Sequence, residues 1–204
     1  IAIIMILDEP YFILHALDKI EGTEEEIFVF KIIDNDKEQL LVLETNEEVV
    51  ECVINFAVSK RITTVIDGGT AKNLCLEKMQ GATIISPNES ETKALTGIFP
   101  EDEATILEAS QVLMSRSKSQ YVVLKLGERG CSVWDGKELK ILPPYKANVV
   151  DTTAAGDCFT AAMALEFVKN GDIYKACDMG NKAGAFAVSH MGAQDSMPYI
   201  SELG

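Results

Sequence analysis

Thr83-Ile84-Ile85-Ser86-Pro87-Asn88-Glu89-Ser90-Glu91-Thr92-Lys93-Ala94-Leu95 joins a short apolar run to a helix start through a polar break that contains proline. Thr83 to Ile85 has the continuous apolar character of a strand covered on both faces, and Glu89 to Leu95 begins a helix behind it. Downstream, Glu103 to Arg116 reads as a helix and Tyr121 to Leu126 as a second strand, followed by Cys131 to Trp134 and, after a turn at Gly136, Leu139 to Leu142. Upstream, Thr63 to Ile66 is a strand ending at Asp67-Gly68-Gly69-Thr70. Glu47 to Lys60 before it has helical spacing through Val49, Val50, Val53, Ile54, Ala57 and Val58. Repeated strand, helix, strand order predicts an α/β fold of three layers, with helices on both faces of a mostly parallel central sheet. Ligands of such sheets bind beyond the carboxyl ends of the strands, where the polar loops after Ile66, Ile85 and Leu126 fall.

Ile1 to Leu14 is apolar apart from Asp8, Glu9 and Pro10, and reads as one or two strands near a turn. Ile1 to Leu7 is too short to span a bilayer and lacks a basic flank, so no targeting signal is expected. Glu21 to Glu26 is an acidic turn containing Gly22. Ile27 to Ile33 and Leu40 to Leu43 are strand-like runs separated by the polar residues Asn35 to Glu38.

The chain has 204 residues, 47% hydrophobic and 25% charged, which suits one globular domain with a substantial core. A formal net charge of −14 argues against nucleic acid or an anionic membrane as the principal partner. The same acidity means that a polyphosphate substrate would need bound cations or backbone donors. Cys52, Cys75, Cys131, Cys158 and Cys177 are dispersed and only His15 and His190 are present, which argues against zinc catalysis and a disulfide framework. Such cysteines fit a reduced cytoplasmic setting.

Val149 to Val168 places small residues, a carboxylate and a helix start at one point. Asp151, Thr152 and Thr153 offer capping oxygens, Ala154, Ala155 and Gly156 leave the backbone uncrowded, and apolar residues from Phe159 to Val168 follow. Unpaired N–H groups and the macrodipole let such a junction hold an anion. Asp157 would repel that anion, but it could accept a proton from a hydroxyl that attacks it. An ordinary capped helix with an acidic first turn is the other reading. In Val123 to Cys131, Gly127 and Gly130 permit a tight turn with close ligand approach, or simply a turn between strands. Asn88 and Glu91 can share one face, as a water-mediated magnesium site requires, or form an N-terminal cap.

Asp151 to Asp157 with Cys158-Phe159 resembles the carboxy-terminal signature of the carbohydrate kinase family that includes ribokinase, fructokinase and adenosine kinase. Pro87 to Glu91 resembles that family's magnesium-associated motif and Leu126 to Gly130 its nucleotide-loop segment. Gly192 to Pro198 is similar to the segment that closes the nucleotide and monovalent-cation sites. The resemblance runs over about Leu40 to Gly204, with the motifs in family order, and the Ala154 to Asp157 form with Gly192-Ala193-Gln194 points to the ribokinase branch.

That resemblance implies a single ribokinase-like domain over residues 1–204, taking ATP, Mg2+ and K+ and phosphorylating a small sugar, ribose to ribose 5-phosphate. Asp157 would be the general base, and the N–H groups of Ala154, Ala155 and Gly156 the anion hole. Asn88 and Glu91 would organise magnesium. Gly127 and Gly130 would line the nucleotide loop, with Lys125 nearby and Asn181 beside the adenine. Carbonyls of Thr153, Ala187 and Gly192, with Asp151 and the Ser196 hydroxyl, would hold potassium, and Glu44 would lie near the sugar. His190, without a partner, is read as solvated or packed. Residues 1–36 match poorly: Asp8 is the only acidic candidate there, and the expected glycine pair and sugar clasp are absent, so the lid region is incomplete. A homodimer through lid strands is the assembly the family suggests. The alternatives are a nucleotide-binding homologue without phosphotransfer and a kinase for fructose or a nucleoside.

Overall fold

The computed structural model describes residues 2–7, 28–33 and 39–44 as backbone, and residues 51, 54–55, 57–59, 61–68, 75–78, 80–193 and 196–203 with their side chains. Asp8, His15, the acidic turn at Gly22, the polar residues after Ile33, Cys52, Gly69-Thr70 and Gln194 lie outside the described residues.

Eight strands form one sheet: β1 (Ala2–Leu7), β2 (Phe28–Ile33), β3 (Gln39–Glu44), β4 (Thr64–Asp67), β5 (Ile84–Ser86), β6 (Tyr121–Lys125), β7 (Cys131–Trp134) and β8 (Leu139–Leu142). Their spatial order is β2-β3-β1-β4-β5-β6-β7-β8. Parallel pairing is confined to β4, β5 and β6 at the centre. β1 pairs antiparallel with both β3 and β4, and β6, β7 and β8 form an antiparallel run. The parallel part is thus narrower than the apolar runs suggested. Tight turns explain one side of it, because adjacent strands joined by a few residues can only pair antiparallel. Gly127–Arg129 makes the turn from β6 to β7, and the Asp135 carboxylate, accepting from Lys137 N and Glu138 N, makes the turn from β7 to β8.

Helices α1 (Glu89–Thr96), α2 (Glu103–Ser117), α3 (Ala155–Asn170) and α4 (Ile173–Val188) cover the sheet. Successive strand residues point to opposite faces, and in β4, β5 and β6 both faces are buried, which is why these strands read as unbroken apolar runs. Val65, Ile84, Val123 and Val133 pack on Phe159, Met163 and Phe167 of α3 and on Ile173, Ala176 and Cys177 of α4. Their sequence neighbours Ile66, Ile85, Val122 and Leu124 pack on Leu95, Ile106, Ala109 and Leu113, with Ile54, Ala57 and Leu76. Each fully buried Ile or Leu contributes roughly 1.5–3 kcal/mol. The expected three-layer arrangement is present.

α3 and α4 meet closely because α4 offers Gly180, where a Cβ would come within 2.9 Å of the Phe159 ring. Gly171, at φ 66°, ends α3, and the Asp172 carboxylate then caps α4 by accepting from Tyr174 N and Lys175 N. Among the described residues, no helix is long and apolar enough to cross a membrane.

Candidate active site

Three parallel strands deliver their last residues to one rim. β4 ends at Asp67, β5 runs through Pro87 into Asn88, and β6 ends at Lys125, which bridges to Asn88 in parallel register. The start of α3 covers this rim.

At the start of α1, Asn88 accepts from Glu91 N at 2.9 Å, and Glu91 Oε2 accepts from Asn88 N at 2.7 Å. Asn88 Nδ2 also donates to Glu91 Oε1 at 2.8 Å, closing a capping box. The cap is therefore realised, and it holds the Glu91 carboxylate at the rim. A Cβ at Gly68 would come within 3.0 Å of the Glu91 side chain, so glycine there lets the carboxylate keep its place against the loop after β4. Burial pushes the Glu91 carboxyl above its ordinary range, the carboxylates of Asp67 and Asp157 add to the rise, and Asn88 N and Lys125 oppose it.

The start of α3 is built differently. Its N-cap is Ala154, left-handed at φ 60° and ψ 6°, with no side-chain cap. Asp151 does not cap the helix as the sequence suggested. Its carboxylate accepts from Thr153 N at 2.9 Å, Thr153 Oγ1 at 2.7 Å and, 41 residues away in sequence, Gly192 N at 3.0 Å. The Thr153 hydroxyl and amide, with the Gly192 amide, hold the Asp151 carboxyl below its usual range. Val188 O accepts from Val150 N and Asp151 N, and the buried Ser196 hydroxyl donates to Ala193 O. The Asp151, Ala187 and Gly192 segments are thereby tied together. Asp157 sits exposed in the first turn of α3. Burial, with Asp157 next to it, pushes the Cys158 thiol up to about 11, so Cys158 is no nucleophile.

The chain matches the pfkB family carbohydrate kinases over residues 13–200. It belongs to that family. This pfkB-family chain is 30% identical to ribokinase of Bacillus subtilis over 194 residues, 95% of its own length and 58% of that protein. It is 30% identical to the bifunctional protein HldE of Helicobacter hepaticus over 148 residues, 72% of this chain and 30% of that one. The structure of Arabidopsis thaliana ribokinase complexed with ribose and ATP superposes with a TM-score of 0.73 at 27% identity, covering 78% of this chain and 51% of that one. The pfkB-family chain spans about a third to three fifths of the length of these relatives.

The other expected site residues are placed as follows. Lys125, expected near the nucleotide loop, is held in an ion pair: its Nζ lies 2.6 Å from both carboxylate oxygens of Asp67, with side chains 11% and 8% exposed. Gly130 is buried at φ 85°, and a Cβ there would run into the backbone of Leu142, Pro143 and Pro144. Gly127 is exposed on the turn beside Glu89, whose carboxylate pairs with Arg129 at 2.6 Å. Asn181 is buried and donates to Pro143 O at 3.1 Å. Glu44 ends β3, paired in register with Ala2 and Phe28. His190 is exposed, bonded to Phe186 O and stacked on the Phe186 ring at 4.3 Å, in keeping with the packed reading.

Asp67, Gly68 and Thr160 carried no role in the sequence. Only the period-two alternation, Val65 to Asp67 and Val123 to Lys125, hinted that a carboxylate and an ammonium end on one face. An open groove of about 340 Å³ was likewise invisible. It is lined by Tyr145, Lys146, Lys182, Phe186, His190 and Leu203, among others, and flanks α4.

Among the described residues, no group of three or more His, Cys, Asp or Glu side chains is placed to hold a metal ion. A single carboxylate, Glu91, beside the Asn88 amide suits an ion that keeps most of its waters and takes its other ligands from phosphates. The Asp151 carboxylate, next to the Gly192 turn and Ser196, offers the hard oxygens that a monovalent cation requires.

Proposed function

We propose that this chain carries the phosphoryl-transfer centre of an ATP-dependent sugar kinase, with ribose as acceptor and ribose 5-phosphate as product. The observation that supports it most is Asp157 in the first turn of a helix whose N-terminus no side chain caps, at the rim where β4, β5 and β6 end. The Asp157 carboxylate takes the proton of the acceptor hydroxyl as its oxygen bonds to the γ-phosphorus, and the bond from that phosphorus to the ADP oxygen breaks. The N–H groups of Ala154, Ala155 and Gly156 donate to the charge that builds on the transferring oxygens. Magnesium held through water by Asn88 and Glu91 would neutralise phosphate charge. A potassium ion beside Asp151, with Thr153, Ala187, Gly192 and Ser196, would fix the loop that precedes α3. The base end of the nucleotide is assigned to the α4 side, with Asn181 beside it, and Gly127 and Gly130 shape the turn opposite. Glu44 is assigned to the sugar side.

Purified chain, supplied with ATP, magnesium and potassium, should release ADP with ribose and much less with fructose, adenosine or pseudouridine. Release with another acceptor alone would keep the kinase and replace the sugar. ATP binding without ADP release from any acceptor would favour a nucleotide-binding homologue.

A further inference from the structure

Below the candidate anion hole lies a buried polar unit that the mechanism leaves unused. Asp67 and Lys125 end β4 and β6, on either side of β5, and form an ion pair under α3. Thr160, 1% exposed, closes the unit: its Oγ1 lies 2.6 Å from Asp67 Oδ2, 3.4 Å from Lys125 Nζ and 2.9 Å from the Gly156 carbonyl oxygen. A Cβ on Gly156 would sit 3.6 Å from Lys125 Nζ, so the ammonium stands directly behind that glycine.

A buried ion pair is a poor source of stability, because desolvation offsets most of the attraction. It is rigid, however, and here its two ends meet the first two turns of α3, Asp67 at Thr160 and Lys125 behind Gly156. The capping oxygens of α1, α2 and α4 fix their helices locally. α3 has no such cap, and is held at its start from beneath.

We propose that Asp67, Lys125 and Thr160 are positioning residues that seat the first turn of α3 on the ends of the parallel strands and so hold the Gly156 amide and Asp157 in reacting geometry. This rests on the kinase reading for its catalytic consequence but not for its structural one. Misplacing a reacting group by about 1 Å can cost on the order of a hundredfold in rate. Thr160→Val keeps side-chain shape and leaves the ion pair intact. Asp67→Asn with Lys125→Met removes both charges without stranding one.

The test combines kinetics with amide hydrogen exchange on the whole chain. Thr160→Val should lower kcat about tenfold, and the double variant about a hundredfold, with KM for ATP within about twofold. Both should speed exchange at residues 158–160, the first amides that α3 bonds within the helix, and leave α2 unchanged, and Thr160→Ser should restore both readouts. Unchanged exchange at 158–160 in Thr160→Val overturns the proposal. So does a double variant that raises KM for ATP at unchanged kcat, since Lys125 would then be a nucleotide ligand. If the unaltered chain releases no ADP with any acceptor, the kinase reading falls, while the exchange comparison still decides the strut.

Discussion

α1 and α3 both begin at the rim formed by β4, β5 and β6, and they treat their first amides in opposite ways. α1 satisfies them internally, through the reciprocal bonds of Asn88 and Glu91. α3 starts from a strained alanine, and its nearest carboxylate, Asp151, is turned away to Gly192 and Thr153. One helix start is closed by its own side chains, and the other offers its amides to acceptors other than a capping side chain, Thr152 O accepting from Ala155 N at 3.3 Å. Unmet amides at a helix start draw anions. On the kinase reading proposed above, the difference gives α1 the task of holding a carboxylate still and α3 that of meeting a phosphoryl group.

The largest expected effect tests the open start. Asp157→Asn removes the proton acceptor and keeps the backbone donors, so kcat should fall about a thousandfold while ATP binding persists. Turnover near that of the unaltered chain would remove Asp157 from the role of base and reduce α3 to an ordinary helix.

The closed start is tested by Glu91→Gln. Glutamine keeps the bond from Asn88 N and loses the one from Asn88 Nδ2, so a purely structural Glu91 would change activity little. A residue that also organises a hydrated magnesium ion would not, and activity should fall by about 10–100-fold. Stability should move the other way. The folded Glu91 carboxyl holds its proton more tightly than the unfolded one, chiefly through burial. Stability is therefore lost as pH rises from the ordinary glutamate range through the raised folded value, and the glutamine variant escapes that loss. Thermal melts should show Glu91→Gln gaining on the unaltered chain at neutral pH and losing that advantage at acid pH.

This contrast was half legible in the sequence. The ends of β5, β6, β7 and β8 fell within a residue of expectation because apolar runs stop abruptly at Pro87, Gly127, Gly130 and Gly136. The α1 cap was visible because both its partners lie three residues apart. What escaped depends on partners far away. Asp151 looked like a helix cap until Gly192 claimed it, and Lys125 looked available until Asp67, 58 residues away, was found beside it. α4 went unnoticed as an element because its buried face is mostly Ala, Cys and Gly. Asp172 as cap, followed by Ile173, Ala176, Cys177, Gly180, Ala183 and Ala187, was nonetheless a helical signature. Pairing direction at β1 was also beyond reach, since an apolar run has no sign of orientation.

A smaller effect concerns the loop that presents α3. If a cation braces Asp151 and the Gly192 turn, potassium should raise kcat several-fold over sodium in the ADP-release assay, and Asp151→Asn should abolish the difference. Equal rates in the two ions would leave Asp151 as a loop staple held by hydrogen bonds alone.

The smallest effect separates the two caps themselves. Asn88→Ala removes a side-chain acceptor from α1 and should cost about 1 kcal/mol of stability. Ala154→Gly removes no bond. It relieves the left-handed strain of a residue with a Cβ, about 1 kcal/mol, but frees the unfolded chain by about 0.4–1 kcal/mol, and the two nearly cancel. The melting temperature of Ala154→Gly should therefore stay close to that of the unaltered chain while Asn88→Ala falls. A gain in Ala154→Gly well beyond 1 kcal/mol would mean that the loop stores more strain than its dihedral angles alone require. The open start would then be held against a larger force than the absence of a cap implies, and the load on the Asp67, Lys125 and Thr160 unit would be correspondingly greater.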